Sequence, residues 1–164
     1  MDKKQIDIQD VKDFWTKNPM TFGKDGLETP EDVCNHAAAI VRKKIWYGQE
    51  EEGAIFSNLI DFDSLMRKRV LEIGHGVGWL AREFINAGAI YTGIDLSDHH
   101  HEICDKLFSN INNAEIILGN AEDLPFEDNS FDYVISHGVM HHSPDTQKCI
   151  DEAWRVLKEG STLF

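Results

Sequence analysis

The sequence predicts an α/β domain with a doubly wound, mainly parallel sheet, preceded by a helical N-terminal extension. Three observations carry this. From Val70 onward short apolar strands alternate with amphipathic helices, and each strand runs into polar or glycine-rich residues. The first strand opens on a loop with glycine at every second position, Gly74-His75-Gly76-Val77-Gly78. Alternation of this kind builds a parallel sheet covered on both faces, with ligands bound beyond the carboxyl ends of the strands.

Residues 1–61 differ in texture from the rest, with turn signals at Asn18-Pro19, Lys24-Asp25-Gly26 and Thr29-Pro30. They read as an extension or cap on the α/β domain of residues 62–164. Within the extension, Glu31 to Tyr47 places Val33, Ala37, Ile40, Val41, Lys44 and Ile45 at mixed spacings of three and four. Thr29 or Pro30 stands at its start and Gly48 just past its end, which predicts a helix. The domain then reads as strand Val70–Ile73, helix Trp79–Ala87, strand Ile90–Asp95 and helix Asp98–Asn110. Strands Glu115–Leu118 and Tyr133–Ser136, helix Asp145–Leu157 and an apolar strand start at Thr162–Phe164 follow.

Composition narrows the function. The chain has 164 residues, 41% of them hydrophobic, which is enough for one domain with a substantial core. Its 29 acidic against 16 basic residues give a formal net charge of -13, which repels nucleic-acid phosphates and anionic headgroups. No nucleic-acid or membrane partner is expected. Cys34, Cys104 and Cys149 form no C-x-x-C pair and suit a reducing cytoplasm. Residues 1–7 carry no apolar targeting segment, so a cytoplasmic location is expected.

The glycine spacing is Gly-x-Gly-x-Gly, whereas the dinucleotide fingerprint is G-x-G-x-x-G, and position 79 is Trp79. This favours a nucleoside without a pyrophosphate. Glycine there permits positive φ and lets the backbone approach a ligand. Asp95, 17 residues beyond Gly78 at the end of the second strand, has two acceptor oxygens that suit the paired hydroxyls of a ribose. Asn120 follows the third strand and could serve an adenine edge or simply a turn. His137, His141 and His142 follow the fourth strand and are candidate general bases or structural residues. The run His99-His100-His101 is expected at the surface, because adjacent residues at a helix start diverge by about 100° and cannot converge on one metal. No metal site is expected.

Several of these pieces together resemble class I S-adenosylmethionine-dependent methyltransferases of the small-molecule branch that includes quinone-biosynthesis enzymes. They are Glu72-x-Gly74-x-Gly76-x-Gly78, Asp95-Leu96-Ser97, the string Asn120-Ala121-Glu122-Asp123-Leu124-Pro125-Phe126, the strand Phe131–Ser136, and Glu152-Ala153-Trp154-Arg155-Val156-Leu157-Lys158. The resemblance runs from about Val70 to Phe164. It implies a Rossmann-like methyltransferase fold using S-adenosylmethionine and releasing S-adenosylhomocysteine. Gly74, Gly76 and Gly78 would then let the backbone meet the methionyl and ribose parts, with His75 where a cysteine is common. Glu72 would hold the amino group, Asp95 the ribose and Leu96 the adenine face. Asn120, where an aspartate is common, would meet the adenine amino group with Ala121 and Glu122 beside it, and His137 would border the methionine end.

The resemblance also implies that the chain stops as a fifth strand begins, about 50–70 residues short of the family's last strands. A sheet edge left uncovered could drive self-association. Three functions compete at this point. They are methyl transfer to a small, neutral or cationic acceptor, nucleoside binding without turnover, and, disfavoured by the glycine spacing, a nicotinamide-dependent oxidoreductase. The N-terminal aromatic residues Phe14, Trp15, Phe22, Trp46, Tyr47 and Phe56 are expected to form a cap with a lid role.

Overall fold

The structure is a computed structural model that describes residues 6–19, 27, 29–42, 56–57 and 59–164. Five strands form one parallel sheet: β1 (Arg69–Ile73), β2 (Ile90–Asp95), β3 (Ala114–Leu118), β4 (Phe131–Ile135) and β5 (Leu157–Leu163). Their order is β3-β2-β1-β4-β5, so the direction of winding reverses between β1 and β4. The helices are α1 (Ile8–Lys17), α2 (Pro30–Arg42), α3 (Ala81–Asn86), α4 (Asp98–Phe108) and α5 (Thr146–Val156). The predicted doubly wound sheet with N-terminal helices is therefore the observed one. Of the helix expected over Glu31–Tyr47, residues 43–47 lie outside the described residues, as do Phe22, Trp46 and Tyr47 of the proposed lid.

Strand residues alternate between two apolar layers, as a pleated strand buried on both faces must. Val70, Tyr91, Tyr133 and Ile135 pack with Phe84 of α3 and with Cys104 and Phe108 of α4. Leu71, Ile73, Ile94 and Val134 pack on the other face with Ala153 and Val156 of α5. The helices thus change sides where the strand order reverses, and that reversal opens a crevice above the ends of β1 and β4.

Helix ends follow their sequence signals. Asp7 and Asp10 form a reciprocal capping box at α1, Ser97 Oγ accepts the His100 N–H at α4, and Asp145 accepts the Lys148 N–H at α5. At the start of α2, Thr29 Oγ1 accepts the Asp32 N–H at 3.1 Å.

The last strand differs from expectation. It begins at Leu157, directly after α5, and not at Thr162. Phe131 pairs with Leu157, but Tyr133 pairs with Thr162, so Lys158 to Ser161 bulge out of register. Gly160 takes the positive φ of +74° that this excursion requires, and Lys158 Nζ ties the bulge to Asp132 Oδ1 at 2.8 Å.

Candidate functional site

A cavity of about 310 Å3 lies at the carboxyl ends of β1, β2 and β4, at the reversal of strand order. Its floor is the segment from Glu72 to Val77, joined by Asp95 and Leu96 after β2 and by Gly119, Asn120 and Ala121 after β3. His137 to Met140, His142 and Ser143 after β4 form a second wall. The roof is apolar: Ile8, Val11 and Trp15 project from one face of α1, with Val41 of α2 and Trp79 nearby. Of the site residues expected from sequence, Glu72, Gly74, His75, Gly76, Asp95, Leu96, Asn120, Ala121 and His137 line this cavity. Gly78 and Glu122 do not.

The three loop glycines do different work. All have positive φ: +82° at Gly74, +53° at Gly76 and +82° at Gly78. A Cβ on Gly74 would lie 2.2 Å from Val139 Cγ2, so this glycine lets the loop after β4 close against the loop after β1. A Cβ on Gly78 would meet the Phe108 ring at 2.8 Å and Cys104 Sγ at 3.0 Å, so it seats the loop on α4. Gly76 alone of the three faces open space on the cavity side.

Two carboxylates at the floor are tuned in opposite directions. Glu72 is 3% exposed and accepts the Tyr91 hydroxyl at 2.7 Å. Burial drives its carboxyl up, the Tyr91 bond pulls back and Asp95 adds to the rise, leaving it at about 8. Room for this pair exists because residue 93, opposite Glu72 in the sheet, is glycine: a Cβ there would stand 2.5 Å from Tyr91 Oη. Asp95 is 9% exposed; burial raises its carboxyl, but the His100 bond, the charges of His75 and His100 and the Ser97 amide outweigh it and bring it to about 2. Asp95 is therefore an ionised acceptor at neutral pH.

His75 is fully enclosed beneath the loop, with Nδ1 3.0 Å from the Gly76 carbonyl. Its Nε2 is buried with no hydrogen-bond partner among the described residues. Burial pushes this imidazole below the usual histidine range against the pull of Asp95. Asn120 Oδ1 accepts the Glu122 N–H at 2.9 Å, the local turn the residue type favours. Glu122 faces away from the cavity and accepts the Ser143 hydroxyl and, at 3.1 Å, the Asp145 N–H. It clamps the start of α5 to the loop after β3.

His137 packs against the rings of Phe56 and Trp79 at 5.1 and 5.8 Å. His142 meets Trp15 edge-on at 5.0 Å and His141 at 3.9 Å. Burial and then the His141 charge hold His142 below the ordinary histidine range, which favours its neutral form. The expectation for the histidine run on α4 needs correction. His100 is 4% exposed and lines the cavity with its Nδ1 3.3 Å from Asp95 Oδ1. Divergence of adjacent side chains rules out a shared metal, but it still allows one member of the run to turn inward, as His100 does three positions after the Ser97 cap. Among the described residues, no group of three or more His, Cys, Asp or Glu side chains could hold a metal ion.

The wall residues that sequence reasoning missed are Ile8, Val11, Val41, Val139 and Met140, whose apolar side chains read equally well as core. Another omission is structural support. Arg155 Nη1 donates to the Phe126 carbonyl at 2.7 Å and to Asp128 at 2.9 Å, and its Nη2 donates to the Leu124 carbonyl at 3.0 Å. Glu152, bonded twice to Arg155, accepts the Leu124 N–H at 2.8 Å. Together they fix the segment that brings Asn120 and Ala121 to the cavity.

A model of the family described as "Methyltransferase domain" matches residues 71–164, more than half of the chain. The chain belongs to this methyltransferase family. The fatty-acid O-methyltransferase of Mycolicibacterium smegmatis is 36% identical over 135 residues, 70% of this chain and 48% of that protein. A demethylmenaquinone methyltransferase of Staphylococcus aureus is 34% identical over 125 residues, covering 65% of this chain and 52% of its own. The chain thus spans about half the length of these methyltransferase relatives. A Methanococcus maripaludis protein of known structure shares the fold with a TM-score of 0.62 at 23% identity, over 99% of this chain and 64% of that one.

Proposed function

We propose that this chain binds S-adenosylmethionine and uses it to methylate a small-molecule acceptor. The observation that carries this is the polarity of the cavity at the strand switch. An ionised Asp95 and the open backbone of Gly76 stand at its floor, and an apolar roof of Ile8, Val11, Trp15 and Val41 faces them.

The residues present fit the group. Asp95 supplies an anionic acceptor for ribose hydroxyls, and Gly76 leaves the backbone accessible to a nucleoside. The orphaned Nε2 of His75 is a buried polar atom beside the same floor. Glu72 is the group for the methionyl amino end: a bound ammonium would favour its ionised form and draw off the proton that burial keeps there. Leu96 offers an apolar face for the base, while Asn120 and Ala121 offer amide groups at its edge. When bound, S-adenosylmethionine supplies a methyl group already activated by a positive sulfur, so the protein's part is positioning and exclusion of water.

His137 and His142 border the acceptor end, and His142, whose burial favours the neutral imidazole, can take a proton from an acceptor that arrives protonated. Among the described residues the cavity lining holds neither lysine nor arginine, which favours a neutral or cationic acceptor with an apolar body. The fatty acid and demethylmenaquinone in the relatives' names agree with the apolar body. Because the chain spans about half of those relatives, binding without turnover is the second reading.

Calorimetry with S-adenosylmethionine, S-adenosylhomocysteine and NADH tests the binding step. The first two are expected to bind and NADH not to. Asp95→Asn is expected to weaken S-adenosylhomocysteine by about tenfold or more, the loss of a charge-assisted hydrogen bond. NADH binding alone would overturn the proposal. A labelled-methyl transfer assay on this chain separates enzyme from binding module.

A further inference from the structure

The nucleoside reading of Asp95 supposes a carboxylate with both oxygens open to a ribose diol. An ionised carboxylate has four acceptor positions, two on each oxygen. In this chain Oδ2 accepts the Gly76 N–H at 2.9 Å, and Oδ1 accepts the Ser97 N–H at 2.9 Å. His100 Nδ1 lies 3.3 Å from the same Oδ1. A carboxylate so placed can only accept, so Nδ1 carries the proton and Oδ1 has both positions filled. One position, on Oδ2, is left among the described residues.

The imidazole is firmly held there. His100 sits in the first turn of α4, its own N–H bonded to Ser97 Oγ, with a side chain 5% exposed. The Gly76 and Ser97 amides belong to the loop and the helix cap, so neither can move without unseating its element. A diol gripping both oxygens needs a position on each, and Oδ1 offers none.

We propose that His100 is a positioning residue which, by closing Oδ1, makes Asp95 a receptor for a single ribose hydroxyl taken by Oδ2. This rests on the nucleoside reading given above and adds a specificity to it. One of the two ribose hydroxyls is recognised by Asp95, and the other is left to weaker neighbours.

The test uses 5′-methylthioadenosine and its 2′-deoxy and 3′-deoxy analogues, titrated by calorimetry against the 164-residue chain. In the unmodified protein one deoxy compound is expected to bind about tenfold more weakly than the parent, and the other within about threefold, as the loss of one charge-assisted bond dictates. In His100→Met, which frees Oδ1, both deoxy compounds are expected to lose about fivefold or more. His100→Asn keeps a donor near the Nδ1 position and is expected to restore the one-sided pattern. A merely structural histidine would shift all three ligands together. Equal losses for both analogues in the unmodified protein overturn the inference without any variant, and so does a one-sided pattern that survives His100→Met. Failure of both 5′-methylthioadenosine and S-adenosylhomocysteine to bind overturns the nucleoside reading itself, and this inference with it.

Discussion

Glu72 and Asp95 make opposite demands on the fold. Glu72 is held at about 8 in the folded chain against an ordinary 4.5, so the folded state binds its proton more tightly. Its stabilising effect is complete below about 4.5 and is lost as pH rises through about 8. Asp95, held at about 2 against 3.8, contributes above 3.8 and loses its effect as pH falls through about 2. Below about 6.5 the depressed imidazoles of His75 and His142 favour folding as pH rises and oppose this trend, so the Glu72 effect sets the slope between about 6.5 and 8. Glu72→Gln keeps an acceptor for Tyr91 and removes the titration, so it should flatten the decline in melting temperature over that range. It should gain at least about 1.4 kcal/mol at pH 8, the equivalent of one unit of pKa. Parallel scans of both proteins at pH 5, 6, 7 and 8 check this, and parallel curves would count against it. Gly78→Ala probes packing: strained φ and the Phe108 and Cys104 contacts at 2.8 and 3.0 Å predict a loss of about 1–3 kcal/mol. Thermal denaturation checks that. At this scale the sequence was most legible where chemistry is type-specific. Asp95 could be read from its place after an apolar strand, whereas the inward turn of His100 depends on helix phase and the Ser97 cap, which three identical neighbours conceal.

The elements were legible because burial on two faces leaves a strong apolar signal. All five strands and the domain's helices lie where the periodicity put them, with ends displaced by a few residues. The exception is the early start of β5, where the pairing of Leu157 with Phe131 skips a polar run that reads as a turn. The α1 roof was less legible, since Ile8, Val11 and Trp15 sit at i, i+3 and i+7 and mark an apolar face without saying what it covers. In the structure that face lines the cavity, Lys12 pairs with Asp98 at 3.0 Å over the start of α4, and no residue of α1 is fully buried. Such a helix contributes more to the site than to the core. Trp15→Ala should therefore weaken S-adenosylhomocysteine by about threefold to tenfold, the loss of roughly 1 kcal/mol of ring contact, and lower the melting temperature by less than about 3 °C. Calorimetry and a thermal scan on the same preparation check both. A large fall in melting temperature with unchanged affinity would make α1 a structural cap and remove its lid role.

Over the whole molecule, charge is the property that sequence states outright and structure only distributes. The formal net charge of -13 leaves 13 of the 29 acidic residues without a basic counterpart. The ion pairs that do form are mostly at the surface, such as Lys12–Asp98, Arg42–Glu83 and Arg82–Glu31 at 3.0, 3.0 and 3.1 Å. Pairs of this kind contribute about 0–1 kcal/mol each and weaken as salt is added. Self-repulsion among the excess carboxylates is screened by the same salt, and it acts over the whole surface because the Debye length is about 30 Å at 0.01 M but only about 10 Å at 0.1 M. The two effects have opposite signs, and the uncompensated charge outnumbers the pairs. Raising sodium chloride from 10 to 300 mM should therefore increase the melting temperature, by about 2–5 °C for a net gain near 1 kcal/mol in a chain of this size. Differential scanning calorimetry at neutral pH reads it directly. A melting temperature that falls with salt would show that the exposed pairs, and with them the anchoring of α1 through Lys12, contribute more than their surface setting predicts.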